Sequence, residues 1–367
     1  MTVLVYASAM VLTCVLAYFA GTVYRLDHSA RVIRLRGAVR AFFVLLPLTL
    51  VALLRWNVGV DSLYGGSYWQ AYRAAWHGVN SRGFEPGFYA MLLVLSKLRV
   101  PFFWFLAVLA LLFMACVSVA ISRGSVWPVW SLLVFFLLFV YFDSYSALRQ
   151  SLAEAVSLIG WAQMGAPSRS RRRDARVLAL FLLAGLFHRI ALINIPIYLV
   201  CRIRLSQASL LLFLLAGVIL SPAIQAVLRA VMRRMAGVGY SFQGVARINA
   251  LLTGALALAC WLSYGGICRL GDSAYMYVNQ AVCIFLLILN SGAMYLPFRV
   301  FDMLKIGYVL IIPYLLRGIQ SGRARLGLAL GLLLMLGAWF FNQFFLQDSY
   351  VAHYDTVLRH WIFTSLP

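Results

Sequence analysis

Apolar stretches of bilayer-crossing length recur from one end of this chain to the other. No other feature constrains the fold as strongly. A helix needs about 20 mostly apolar residues to cross the hydrocarbon core. Stretches of that kind, or somewhat shorter, cover Met1–Tyr24, about Arg40 to Leu54, Pro101–Ile121, Val126–Phe142, Ser144–Met164, Leu205–Leu220, Ala250–Cys268, Ala274–Tyr295, Val300–Leu316 and Leu326–Leu346. About 10–12 such helices would occupy most of the 367 residues and leave only short loops. Composition agrees: 64% of residues are hydrophobic, 11% are charged, and the mean hydropathy is +0.90. Soluble domains run at about 45–50% apolar and about 25% charged. A soluble enzyme, a disordered chain and a secreted disulfide scaffold are therefore excluded. The expected architecture is an all-α polytopic membrane protein forming one integral membrane domain over residues 1–367.

Basic clusters orient the chain. Arg25, Arg31, Arg34, Arg36 and Arg40 form one, Arg169, Arg171, Arg172, Arg173 and Arg176 a second, and Arg317, Arg323 and Arg325 a third. The cytoplasmic excess of Arg and Lys places all three inside. Residues 165–176 then form a basic cytoplasmic loop, and residues 55–100 an outer loop. Three spans already carry the chain from that loop to the second cluster. The short apolar stretch Pro86–Leu98 therefore cannot cross, and reads as a re-entrant or interfacial helix on the outer face. The same parity makes Val177–Leu199 two short helices meeting near His188, which returns Arg202 and Arg204 to the inside. Broken backbone at membrane depth is tolerated where it lines a protein cavity. Residues 221–249 form an outer basic loop, where Arg229 and Arg233 share a helix face; Arg234, Tyr240 and Arg247 also lie there.

The net charge of +21 exceeds what orientation needs. This topology puts 17 of the 31 basic residues inside and leaves 14 on the outer side or in the outer half. Lys97 and Lys305 are the only lysines. Arginine is the better fork for phosphate and diphosphate. Aromatic residues crowd the outer stretch from Tyr64 to His77, where they suit either sugar faces or an interfacial belt. The cysteines have no ligand spacing and read as small buried hydrophobes. No metal site, cofactor motif or nucleic-acid module is expected.

Ionisable residues inside or at the ends of spans are functional candidates by default. Arg55 ends a span, and Asp61 lies close enough in sequence to pair with it locally or to serve a ligand. Glu85 precedes a Pro-initiated helix, as a plain cap or as a base aimed into the membrane. Arg149 lies about 9 Å along the chain from Asp143, at 1.5 Å per residue. It is placed either to bind substrate or to pair with an acid on another helix. Gln150 and Glu154 share a face with each other. His188, at the expected break, is either a packed histidine or a base. Arg299 and Asp302 are spaced to pair on the outer turn of a late span. The tail residues Asp348, His353, Tyr354, Asp355 and Arg359 suggest no specific role.

The ordered set Arg55-x5-Asp61-x2-Tyr64, Glu85-Pro86, Arg149-Gln150-x2-Ala153, Phe187-His188-x2-Ala191-Leu192-Ile193 and a late Arg299 resembles the EpsG/Wzy-type polysaccharide polymerases. Ser144 and Ser146 occupy the stretch where that family usually has asparagine, and Glu154 is unusual for it. The resemblance implies a fold like that of the membrane-embedded lipid-phosphosugar glycosyltransferases. It also implies metal-independent transfer of a growing glycan from undecaprenyl diphosphate onto a lipid-linked repeat unit, at the periplasmic face of a bacterial inner membrane. Its implied partners are undecaprenyl-diphosphate-linked glycans, the bilayer and a chain-length regulator. On that basis Arg149, Arg299 and Arg55 hold the diphosphate and His188 or Glu85 is the base. Asp61, Tyr64 and Gln150 position sugar. A flippase or exporter of lipid-linked oligosaccharide and an O-antigen ligase are the alternatives. A flippase would more often show repeated halves, and no internal repeat is evident.

Overall fold

The computed structural model describes residues 2–24, 42–59, 61–63, 65–165, 170–236, 243–291, 297–346 and 354–356. Among these the chain is mostly helical and contains no strand, as expected of an all-α polytopic membrane protein. The helices are α1 Thr2–Tyr24, α2 Leu46–Leu53, α3 Ser67–Trp76, α4 Pro86–Lys97, α5 Phe102–Gly124, α6 Pro128–Leu137, α7 Val140–Asp143, α8 Leu148–Ala162 and α9 Arg171–Phe187. A 3-10 turn, Arg189–Ile193, leads into α10 Asn194–Cys201. Then follow α11 Gln207–Ile219, α12 Ser221–Ala236, α13 Gln243–Leu262, α14 Tyr264–Cys268, α15 Tyr275–Ser291, α16 Pro297–Lys305, α17 Tyr308–Gly318 and α18 Gly322–Phe341.

Most of these helices are shorter than the apolar runs that contain them. Among the described residues, three are long and apolar enough to cross a bilayer unbroken: Thr2–Ala20, Phe102–Gly124 and Gly322–Leu346. The pair Gln207–Ile219 and Ser221–Val227, bent by 53°, makes a fourth. Elsewhere the apolar runs are interrupted. The run Val126–Phe142 breaks where Phe139 adopts φ 65°, in the left-handed region. The next run starts late, because residues 144–147 form a tight link before α8. The run Val177–Leu199 breaks at His188, whose extended backbone (φ −155°, ψ 120°) ends α9. The chain then doubles back, and Arg202 reaches Asp174 at 2.8 Å. The two ends of this segment therefore lie together, which a continuous span does not allow.

The segment 55–100 holds two helices packed as a hairpin. Tyr68 and Tyr72 of α3 and Phe88 and Leu92 of α4 form a cluster with Phe102 and Phe105 of α5 and Leu148 and Leu152 of α8. Phe88 and Phe105 are fully buried. Such rings each bury a large apolar area, which holds the hairpin against the span beneath it. The basic stretch 165–176 is already helical from Arg171, because the Ser170 hydroxyl accepts the Arg173 N–H and caps α9. Residues 221–236 are helical, whereas the side chains of Arg229, Arg233, Arg234 and Arg247, together with Tyr240, lie outside the described residues. All six cysteines are free thiols.

Candidate active site

Three interruptions meet at one place: the start of α4, the start of α8 and the break after α9. Two features bring them together. Pro86 opens α4 with its φ already set for a helix, which leaves Glu85 at the mouth of that helix. Gly87 then allows α4 to press on the last turn of α9. A Cβ at that position would lie 2.9 Å from the Leu186 Cβ and from its carbonyl oxygen. This close approach sets Glu85 beside His188, two residues beyond Leu186.

Glu85 is the hub. Arg149 Nη1 donates to its Oε2 at 2.6 Å. His188 Nδ1 lies 3.1 Å from its Oε1, and the Arg189 backbone N–H donates to the same oxygen at 3.2 Å. The Glu85 and His188 side chains are about one-twentieth exposed, while Arg149 is 21% exposed. Burial alone pushes the Glu85 carboxyl up. The hydrogen bonds from His188 and from backbone N–H groups, with the charge of Arg149, outweigh burial and hold it at about 2. Glu85 is therefore a carboxylate across the ordinary pH range and a poor proton acceptor. Because a carboxylate only accepts, His188 Nδ1 carries the hydrogen of the shared bond, and in the neutral ring Nε2 keeps its lone pair. That Nε2 is buried and has no hydrogen-bond partner among the described residues.

Aromatic groups frame Arg149. Its guanidinium sits 4.7 Å from the centroid of the Phe84 ring. Tyr68, buried between Phe84 and Phe88, lies within electrostatic and hydrogen-bonding reach of it. Tyr68 was not among the residues singled out in the sequence. It hides in a stretch where Tyr64, Trp69, Tyr72 and Trp76 give the same signal. Its N–H donates to the Asp61 carbonyl at 3.2 Å, and the exposed Asp61 carboxylate accepts from Ser67 Oγ at 3.3 Å. Asp61 therefore stands at the start of α3 and makes no ion pair with Arg55. Tyr64 lies outside the described residues.

The remaining expected residues divide. Gln150 is buried; its Nε2 donates to Glu154 Oε1 at 3.0 Å and to the Arg299 carbonyl at 3.4 Å. This contact brings Arg299, at the start of α16, next to the first turn of α8. Asp302 does not take up the Arg299 pairing suggested by its spacing. Its Oδ1 accepts from Lys305 Nζ at 2.9 Å, and Lys305 also pairs with Asp143 at 2.5 Å.

Arg55 lies apart from this set. It is 3% exposed, and its guanidinium lies 4.4 Å from the Tyr145 ring centroid with no hydrogen-bond partner among the described residues. Gly59, with φ 104°, lets the following loop touch the Tyr145 carbonyl, where no Cβ fits. Ser62 Oγ also donates to that carbonyl, at 2.6 Å. The tail closes the other side: the Arg55 backbone bridges to Thr356, and the Trp56 N–H donates to the Asp355 carbonyl at 2.9 Å.

Among the described residues no three of His, Cys, Asp and Glu gather as a metal-ligand set. What the Glu85 cluster offers is an oriented imidazole with a free nitrogen, next to an accessible guanidinium.

The family model described as EpsG matches residues 39–356, most of the chain. This protein belongs to the EpsG family. No curated protein matches the chain, and neither does any solved structure. The matched span starts beyond α1 and takes in every candidate above, from Arg55 to Arg299. Membership supports a membrane role of the polysaccharide-polymerase kind.

Proposed function

We propose that this EpsG-family chain is a metal-independent glycosyltransferase. It moves a growing glycan from undecaprenyl diphosphate onto the end of a lipid-linked repeat unit, at the periplasmic face of the inner membrane. The observation that carries this reading is the Glu85–His188–Arg149 cluster, with an unpartnered His188 Nε2 buried where three helix interruptions converge.

The chemistry follows from the roles these groups can take. His188 Nε2 accepts the proton of the acceptor hydroxyl as its oxygen bonds to the anomeric carbon. The bond from that carbon to the diphosphate oxygen breaks, and its electron pair leaves with the lipid diphosphate. Arg149 and Arg299 face the growing negative charge as preorganised donors. Glu85 holds the imidazole in one tautomer and stabilises the imidazolium, as the acid of a triad does. Asp61 and Tyr64 bind sugar on the outer side, and Gln150 spaces α8 from α16. Arg55, buried on Tyr145, holds the loop and tail together and leaves the diphosphate to the other two arginines.

A cell lacking this activity makes glycans of one repeat. Loss of a flippase instead strands repeats on the cytoplasmic side, and loss of a ligase leaves polymer on its lipid. Complementing the deletion with Arg149→Ala should give one-repeat glycans at normal protein level. Full-length polymer from that variant contradicts the assignment.

A further inference from the structure

Behind the proposed site lies a second charged group that the reaction does not use. Lys305 ends α16, six residues or about 9 Å along the helix from Arg299. Its side chain is 4% exposed, and its ammonium bridges Asp143 and Asp302. Ion pairs in a protein interior seldom add net stability, since well-packed apolar residues of similar size serve as well or better. Their best-attested use is to fix geometry.

The two carboxylates differ in what they can fix. Asp302 lies on α16, three residues before Lys305, so their bond stays within one helix. Asp143 ends α7, and its carbonyl accepts the N–H groups of Ser146 at 3.1 Å and Ala147 at 2.9 Å. Those bonds fold the link that delivers Leu148 and Arg149. The Lys305–Asp143 bridge thus runs from the end of the Arg299 helix to the start of the link before Arg149. The Gln150 contact to the Arg299 carbonyl joins the same two helices nearer the mouth.

We propose that Lys305 and Asp143 are positioning residues, a clamp that sets the separation of Arg149 and Arg299 to the span of one lipid diphosphate. The clamp rests on the proposed function for its ligand, and its test separates the two. The probe is undecaprenyl diphosphate alone, titrated against the purified full-length chain in nanodiscs. Turnover of a lipid-linked repeat is measured in parallel. Asp143→Asn should weaken probe binding about tenfold and lower kcat/KM by at least as much, as expected when two groups that hold the diphosphate in both the ground and the transition state drift apart. Asp302→Asn should change binding less than about threefold, although Asp302 is the more exposed acid at 29% against 19%. The charge swap Asp143→Lys with Lys305→Asp should recover most of the loss.

Equal losses for the two Asp→Asn variants, a larger loss for Asp302→Asn, or no loss for Asp143→Asn overturns the clamp. If Asp143→Asn does not purify, the swap decides. A folded swap that binds supports the clamp and a folded swap that does not bind ends it; if neither purifies, a loss above threefold in Asp302→Asn alone ends it. A wild-type chain that binds the probe but builds no polymer defeats the polymerase reading and leaves the binding test of the clamp intact.

Discussion

Arg55 and Arg149 carry the same side chain, and both were expected to serve one diphosphate, yet they sit in opposite settings. Arg149 is partly open, held at one edge by Glu85 and backed by Phe84. Arg55 is closed in, stacked on Tyr145, with no hydrogen-bond partner among the described residues. A guanidinium over a tyrosine ring gains about 0.5–2 kcal/mol, which offsets part of the cost of burying it. A carboxylate partner that leaves one face of an arginine accessible suits a residue awaiting an anion. A closed aromatic seat suits one that joins a loop to the tail. The difference is one of access, because both side chains carry the same charge.

The largest effects should fall on the open cluster. Arg149→Ala should lower polymer formation by at least about a hundredfold with the chain still monodisperse; gel analysis of the cell-surface glycan reads this. His188→Ala should cost about 10²–10⁴ in kcat, with smaller change in binding of undecaprenyl diphosphate, measured in single-turnover assays. Retained kcat in that variant removes His188 as the base.

Glu85→Gln comes next, and its signature is in pH. The Glu85 carboxyl is held at about 2, below its ordinary 4.5, so the carboxylate stabilises the folded chain above about pH 4.5. That contribution fades as pH falls toward 2. Wild type should therefore unfold at a higher temperature than Glu85→Gln at pH 6–8, and the two should converge in acid. A gap that stays constant down to pH 3 contradicts the paired carboxylate.

Arg55 should be the mildest, and it tests the comparison from the other side. Arg55→Met keeps the stem packing on Tyr145 and removes the buried charge, which is often neutral for stability. It should leave KM for the lipid-linked repeat within about threefold. A tenfold rise in KM for a chain that folds normally would return Arg55 to the diphosphate and erase the distinction drawn from its burial.

Much of the architecture was legible in the sequence, for identifiable reasons. Long apolar runs with few charges specify helices in a bilayer. Parity between basic clusters required a reversal near His188, and the Arg202–Asp174 pair shows the chain returning. Glu85, Arg149 and His188 stand out in the sequence as ionisable groups inside or at the ends of apolar runs. Their mutual contact was not legible, since Glu85 and His188 are 103 positions apart and no local pattern couples them. The break at Phe139 is also hidden, because phenylalanine carries no turn signal, yet this buried residue has left-handed backbone. The burial of Arg55 depends on the loop after Gly59 and on the tail near Asp355, two segments far apart in the chain. The Lys305–Asp143 pair likewise joins two residues far apart in the chain, with no local pattern that couples them.

The most direct test of the account is reconstitution. Purified wild-type chain and His188→Ala are incubated with one undecaprenyl-diphosphate-linked repeat unit, each with a metal chelator present. A ladder of products is expected from the wild type and none from the variant, although both bind undecaprenyl diphosphate. A ladder from His188→Ala, or a wild-type ladder that collapses on chelation and returns with added metal, would contradict it.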